Sequence, residues 1–149
     1  MIEKIKSLFA DLYTQLVKMN DSPQRIALGF GVGVFLGILP GTGPIAALAM
    51  AFIFRLNKAA ALLGGVLTNT WLSLATFVMA IKIGSGILGL SWVAVHVQAR
   101  GLVEHFSWKA LFDASGEILK PLLIGYAVIG LACGLLAYLI ALFILKRSK

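Results

Sequence analysis

Fourteen residues, Ile26 to Leu39, run without a charged or polar side chain and then break at Leu39-Pro-Gly-Thr-Gly-Pro44. At about 1.5 Å per residue such a helix is roughly 21 Å long, against a bilayer hydrocarbon core of about 30 Å. In a membrane it stops inside. Pro40 lacks an amide hydrogen and ends the helix, Gly41 and Gly43 admit backbone angles other residues avoid, and Pro44 suits the first turn of a following helix. Ile45 to Phe54 then supplies ten more apolar residues, roughly 15 Å of helix, before Arg55-Leu-Asn-Lys58 returns the chain to a polar surface. Two half-length helices around such a turn make either a re-entrant hairpin or one broken span. Charge favours the hairpin, because turning back leaves Arg25, Arg55 and Lys58 on the cytoplasmic face with Lys18.

Composition supports a membrane setting. Of the 149 residues 60% are hydrophobic and 13% charged, with a mean hydropathy of +0.96; a soluble domain is about 45–50% apolar even with glycine included. The net charge of +7 does not indicate nucleic acid, since the basic residues stand singly at the edges of apolar runs. Cys133 is alone within an apolar stretch, so no disulfide framework or metal cluster is expected. His96 and His105 have no Ser or Cys at nucleophile spacing, and Glu104, Asp113 and Glu117 share one polar segment with basic neighbours. No enzyme activity and no cofactor are expected.

Residues 1–21 place Ile2, Ile5, Leu8, Leu12, Leu16 and Met19 at three- and four-residue steps among charged residues. This is an amphipathic helix for the membrane interface, with a dimerisation helix in water as the alternative. Mixed charge and the lack of a continuous apolar core argue against a secretory signal. Ser22 and Pro23 then read as N-cap and first residue of a new helix.

A membrane core is expected over 22–97, with breaks at 40–44 and 68–70. Ala59 to Ile81 is long enough to span, yet Thr68-Asn69-Thr70 interrupts it, leaving halves Ala59–Leu67 and Trp71–Ile81 that end at Lys82. A lipid-facing asparagine at that depth is costly, so Asn69 should face protein, water or a substrate. The pattern resembles a repeat of the first unit, and paired breaks point to a transporter's midplane site. Residues 98–120 read as an outer interfacial segment in which Ser107 caps a short helix. Pro121 to Leu145 is the clearest transmembrane helix, and the basic tail after it places the C-terminus inside.

Gly29, Gly33 and Gly37 line one side of a helix and let another backbone approach; Gly130 and Gly134 do the same, either within the chain or between copies. Thr42 or Gly43 stands where a helix N-terminus offers free amides, as Asn69 and Thr70 do for the second break, and such ends attract anions. Alternatively the two loops satisfy each other. In the ligand-binding case Arg25, Arg55, Lys58 and Lys82 gather the anion at the cytoplasmic surface, while Thr42, Gly43, Asn69 and Thr70 offer donors at depth.

The run Arg25-Ile-Ala-Leu-Gly-Phe-Gly-Val-Gly-Val-Phe-Leu-Gly-Ile-Leu-Pro40, with Gly43, Arg55-Leu-Asn-Lys58-Ala-Ala-Ala-Leu-Leu-Gly64 and Asn69, resembles the bacterial membrane proteins grouped as domain of unknown function 2062, over about residues 23–90. Members usually carry proline where this chain has Thr70. Some relatives are joined to glycosyltransferase domains that use lipid-linked sugars, which implies a role near polyprenyl-phosphate lipids. Gly37 to Pro44 also resembles a loop in the large membrane subunit of tripartite tricarboxylate transporters and, more loosely, one in undecaprenyl-phosphate transporters.

The expectation is an all-α membrane protein with an N-terminal amphipathic helix, re-entrant or broken helical hairpins and one long C-terminal transmembrane helix. It would lie in the bacterial inner membrane with both termini cytoplasmic, as a homo-oligomer that translocates an anionic substrate, with a lipid-linked phosphate favoured over a small anion. The alternatives are a homo-oligomeric channel and a scaffold for lipid-linked glycan enzymes.

Overall fold

The computed structural model describes residues 1–39, 43–68, 71–105, 107–113 and 115–148. Among these there are eight α-helices, one π-helical turn and no strand. Helix α1 is Ile2–Lys18, α2 Pro23–Ile38, α3 Gly43–Ile53 and α4 Lys58–Leu67. They are followed by α5, Trp71–Leu88, α6, Trp92–Glu104, and α7, Trp108–Asp113. The π turn Ser115–Leu119 leads into α8, Lys120–Ser148. Several boundaries follow from caps. The Ser22 hydroxyl accepts from the Arg25 amide at 3.4 Å, with Pro23 opening α2 as expected. Ser107 accepts from the Ala110 amide at 3.1 Å and starts α7. Helix α5 ends at Gly89, φ 68°, where the Leu90 amide closes onto the Ser85 carbonyl at 2.8 Å.

Helices α2 and α3 form a hairpin. The Asn57 amide donates to the Arg25 carbonyl at 3.3 Å, so the chain leaving α3 returns to the end where α2 began. Along the way Leu36 of α2 packs on Ala47 and Ala51 of α3. Of the two readings of the first break, the described helices give the hairpin, with α3 antiparallel to α2.

Helix α4 then runs beside α2 in the same direction. Gly29 meets Asn57, Gly33 meets Ala61 and Gly37 meets Gly65, in matching order. A Cβ on Gly33 would fall on the Ala61 carbonyl, so the expected glycine stripe is the seat of α4. The opposite side of α2 takes α8 in the reverse direction: Gly31 lies against Gly134, and Phe35 against Gly130. The Gly130/Gly134 pair is therefore an intrachain packing device.

The second unit departs from the hairpin expectation. Gly84 lies against Pro121 and Gly125 against Ala80, so α5 is antiparallel to α8 and parallel to α2 and α4. Helices α4 and α5 point in the same direction, so they do not form a second antiparallel hairpin. The resemblance to a repeat of the first unit ends there. Nor does α5 stop at Ile81, because Lys82 extends over the Trp92 ring, 5.5 Å from its centroid, and the helix continues to Leu88. The expected boundary between 97 and 98 falls inside α6.

One end of the bundle collects cations. Leu16, Ile26 and Leu145 share a buried cluster, which brings the ends of α1 and α8 to the start of α2, with Lys18, Arg25, Arg55, Lys58, Lys146 and Arg147 nearby in sequence. At the other end Ile81, Val95, Ala99 and Ile118 tie α5, α6 and the π turn together. The segment Gly116–Ser148 is long and apolar enough to cross a membrane by length and composition, and only 28% of its most apolar stretch is buried. Leu131, Leu135, Leu139 and Phe143 stand exposed along it.

Candidate functional site

The candidate residues fall into two groups. Arg25, Arg55 and Lys58 come together in a polar pocket of about 410 Å³ where the hairpin begins and ends, with Asp21, Phe52 and Leu56 completing it. Gly43 lies at the other end of α2, about 18 Å further along at 1.5 Å per residue. Pro40, Gly41, Thr42, Asn69 and Thr70 lie outside the described residues.

Each cation in the pocket is placed against a local preference. Arg25 is in the first turn of α2 and Lys58 in the first turn of α4, two parallel neighbours with no acidic residue in either first turn. Helix N-termini favour anions, and a cation there costs about 0.3–1 kcal/mol. Arg55 holds φ 54°, the left-handed conformation usually given to glycine at a helix end. The Leu56 amide closes onto the Ala51 carbonyl at 2.8 Å across it. For a residue with a Cβ that conformation costs roughly 1–2 kcal/mol. Two positive helix ends and three cationic side chains thus converge on one pocket. Lys58 also sits over the Phe52 ring, 4.6 Å from its centroid.

Asp21 and Asn57 tie the pocket together. Asn57 caps α4 by accepting from the Ala60 amide at 2.9 Å, and its side-chain amide donates to Asp21 at 3.3 Å. The Ser22 amide donates to the other Asp21 oxygen at 2.8 Å, and the Arg25 guanidinium approaches at 3.8 Å. Chiefly the Ser22 hydrogen bond, with Asn57 and the Arg25 charge adding to it, holds the Asp21 carboxyl below the usual range against the opposing effect of partial burial. The Arg25–Asp21 pair is long, with 53% of the arginine side chain exposed, so it contributes little and leaves the guanidinium available.

The stability tied to Asp21 is fully present above the ordinary carboxylate pKa of about 3.9 and is lost as pH falls through the lower folded-state value. Asp21→Asn should therefore lower the melting temperature above about pH 5 by a constant amount, flatten the acid limb of a melting-temperature-against-pH series, and converge on the parent at low pH. A limb as steep as the parent's would remove Asp21 from this role.

At the hairpin's far end the flanks of the two breaks lie side by side. Gly43 is buried and opens α3 at φ 53°, Pro44 lies against Gly65, and Gly37 against Thr68. The Thr68 hydroxyl lies 2.9 Å from the Gly64 carbonyl of its own helix end and 3.3 Å from that of Val34, and the contact with Val34 ties the end of α4 to α2. Lys82 joins neither group. It is at the end of the bundle opposite Arg25, because α5 carries it past the hairpin towards Pro121.

Sequence reasoning missed Asp21 and Asn57, although both leave a signal: Asp21 is four residues before Arg25, and Asn57 immediately precedes a helix. It also missed an apolar groove of about 390 Å³ between α2 and α8. Its lining comes from residues about 100 apart, so no local pattern marks it.

An all-helical chain with a hairpin closed by arginine and lysine, packed on one long apolar helix, defines the class. The family model described as "Uncharacterized protein conserved in bacteria (DUF2062)" matches residues 6–149, and the chain belongs to that family. The match takes in α1 and α8, beyond the 23–90 in which the resemblance was first visible. No curated protein and no solved structure matches the chain, so the short likeness to tripartite transporters finds no counterpart there.

Proposed function

We propose that the protein is a transporter of the bacterial inner membrane that moves an anionic substrate, with a lipid-linked phosphate favoured, and that its basic end faces the cytoplasm together with both termini. The observation that carries this is the convergence of Arg25, Arg55 and Lys58 on the two parallel helix starts. Strain and like-sign crowding of this kind raise the expectation of a binding role. The apolar, largely uncovered α8 supports the membrane setting, and the gathering of Lys18, Arg25, Arg55, Lys58, Lys146 and Arg147 at one end supports the orientation. The hairpin begins and ends beside the pocket and points away from it, so an anion held there has the hairpin wall as its path inward. Enclosing that path calls for further copies of the chain, hence a homo-oligomer. The protein supplies binding and passage without a chemical step.

Proteoliposomes loaded with a fluorescent polyprenyl phosphate test this directly. The chain should carry the lipid between leaflets, and Arg25→Gln should slow it by about tenfold, the loss of one charge-assisted hydrogen bond of roughly 1.5 kcal/mol. Asn69→Leu should also lower the rate in protein that still assembles. Flux no greater than in empty liposomes, for this lipid and for tricarboxylates alike, would overturn the proposal. Discrete conductance steps in planar bilayers would replace it with a channel.

A further inference from the structure

We propose that the groove between α2 and α8 holds the hydrocarbon chain of a single-chain lipid phosphate with its head in the Arg25–Arg55–Lys58 pocket. This rests on the anion-binding reading of that pocket and adds a second subsite to it.

The groove exists because of two glycines. Gly31 and Gly134 bring the backbones so close that a Cβ on Gly31 would lie 2.8 Å from the Gly134 carbonyl oxygen. Around that floor Leu28, Phe35, Leu131 and Leu135 stand up as walls, and the lining is almost wholly apolar. Leu131 and Leu135 are 62% and 60% exposed, so the groove opens sideways, towards lipid in a membrane. A chain enters without threading through the protein.

Two features select the occupant. The first is charge at one end. Leu28 of the groove and Arg25 of the pocket stand on consecutive turns of α2, so the two cavities are neighbours along that helix. An occupant matched to both is apolar along its length and anionic at one tip. The second is size. At roughly 30 Å³ for a water- or methylene-sized group, about 390 Å³ takes on the order of a dozen chain units. That is one chain segment, not the pair carried by a bulk phospholipid. Between lipid-chain carbons and Leu or Phe walls there is no net hydrophobic gain over bilayer, so chain packing contributes contact and the phosphate contributes selectivity.

The test is photolabelling of the full chain in phosphatidylcholine nanodiscs. The probe is a single-chain lipid phosphate with a diazirine along its chain, compared with the alcohol of the same chain and with a phosphatidylcholine bearing the same diazirine. Mass spectrometry should place the label on the segment holding Leu131 and Leu135, about tenfold more strongly for the phosphate than for either control, a factor worth about 1.4 kcal/mol. Leu135→Trp, which fills the groove from an exposed position, should reduce labelling by a similar factor in protein of unchanged helicity. Arg25→Gln should do the same from the other end.

Label spread evenly along the lipid-facing helices, or insensitive to Leu135→Trp, would overturn the groove while leaving the anion pocket standing if Arg25→Gln still lowers binding. Equal labelling by phosphate and alcohol, unaffected by Arg25→Gln, would overturn the proposal together with the anion reading beneath it.

Discussion

Gly33→Ala is expected to destabilise the chain by about 2 kcal/mol or more, and Gly86→Ala to stabilise it by roughly 0.5–1 kcal/mol, although both replace a helical glycine with the best helix former. Helix propensity alone predicts a gain of that smaller size at each site. The difference lies in what the new methyl group meets. At Gly33 it falls on the carbonyl of Ala61 in the parallel helix α4, and backbone does not yield as a side chain does. Helices α2 and α4 must separate, which loosens Gly29 from Asn57 and Gly37 from Thr68 along the same seam. At Gly86 nothing lies within 4 Å of the added atom. Thermal unfolding in detergent, followed by circular dichroism, reads both signs in one experiment. A gain at Gly33 would mean that α2 and α4 are not held at backbone distance.

Arg55→Gly should separate stability from binding. Glycine adopts φ 54° without a Cβ clash, so the variant should gain about 1 kcal/mol. The same change removes one of the three cations of the pocket, and binding of a lipid phosphate should weaken by about tenfold. Arg55→Lys separates charge from geometry, since it keeps the backbone cost and a positive charge but loses the planar fork. It should leave the melting temperature near the parent's and recover part of the affinity. A glycine variant that is more stable and binds as well as the parent would leave Arg55 no part in recognition.

How much of this is legible in the sequence varies from one element to the next. The hairpin is legible because its determinants are local: Ser22 and Pro23 start it, Gly43 at φ 53° opens its second helix, and Arg25, Arg55 and Lys58 mark its two ends. Helix α8 is legible from apolar length alone. The direction of the second unit is not. A polar interruption permits a turn without requiring one, and here α5 is held to its course by Gly84 and Gly125 packing against residues some 40 positions away. Lys82 misleads for a related reason: a lone lysine ends an apolar run on paper, while in the fold its long stem reaches an aromatic ring and the helix passes on. Of the candidate site, the basic cluster could be anticipated from shared charge. Its placement about 18 Å from Gly43 could not, because that separation is set by the part of α2 beyond Arg25 and appears only once the hairpin is folded.

The position of α2 between α4 and α8 has a consequence for biogenesis. One flank of α2 is covered as soon as the next 30 or so residues follow it, whereas the Gly31–Phe35 flank waits for Gly130 and Gly134. At roughly 5–20 residues per second, the intervening stretch of about 100 residues takes on the order of 5–20 s to synthesise. Throughout that interval the ribosome-bound chain holds a half-built bundle with a bare glycine face. That face closes only when the last long helix arrives.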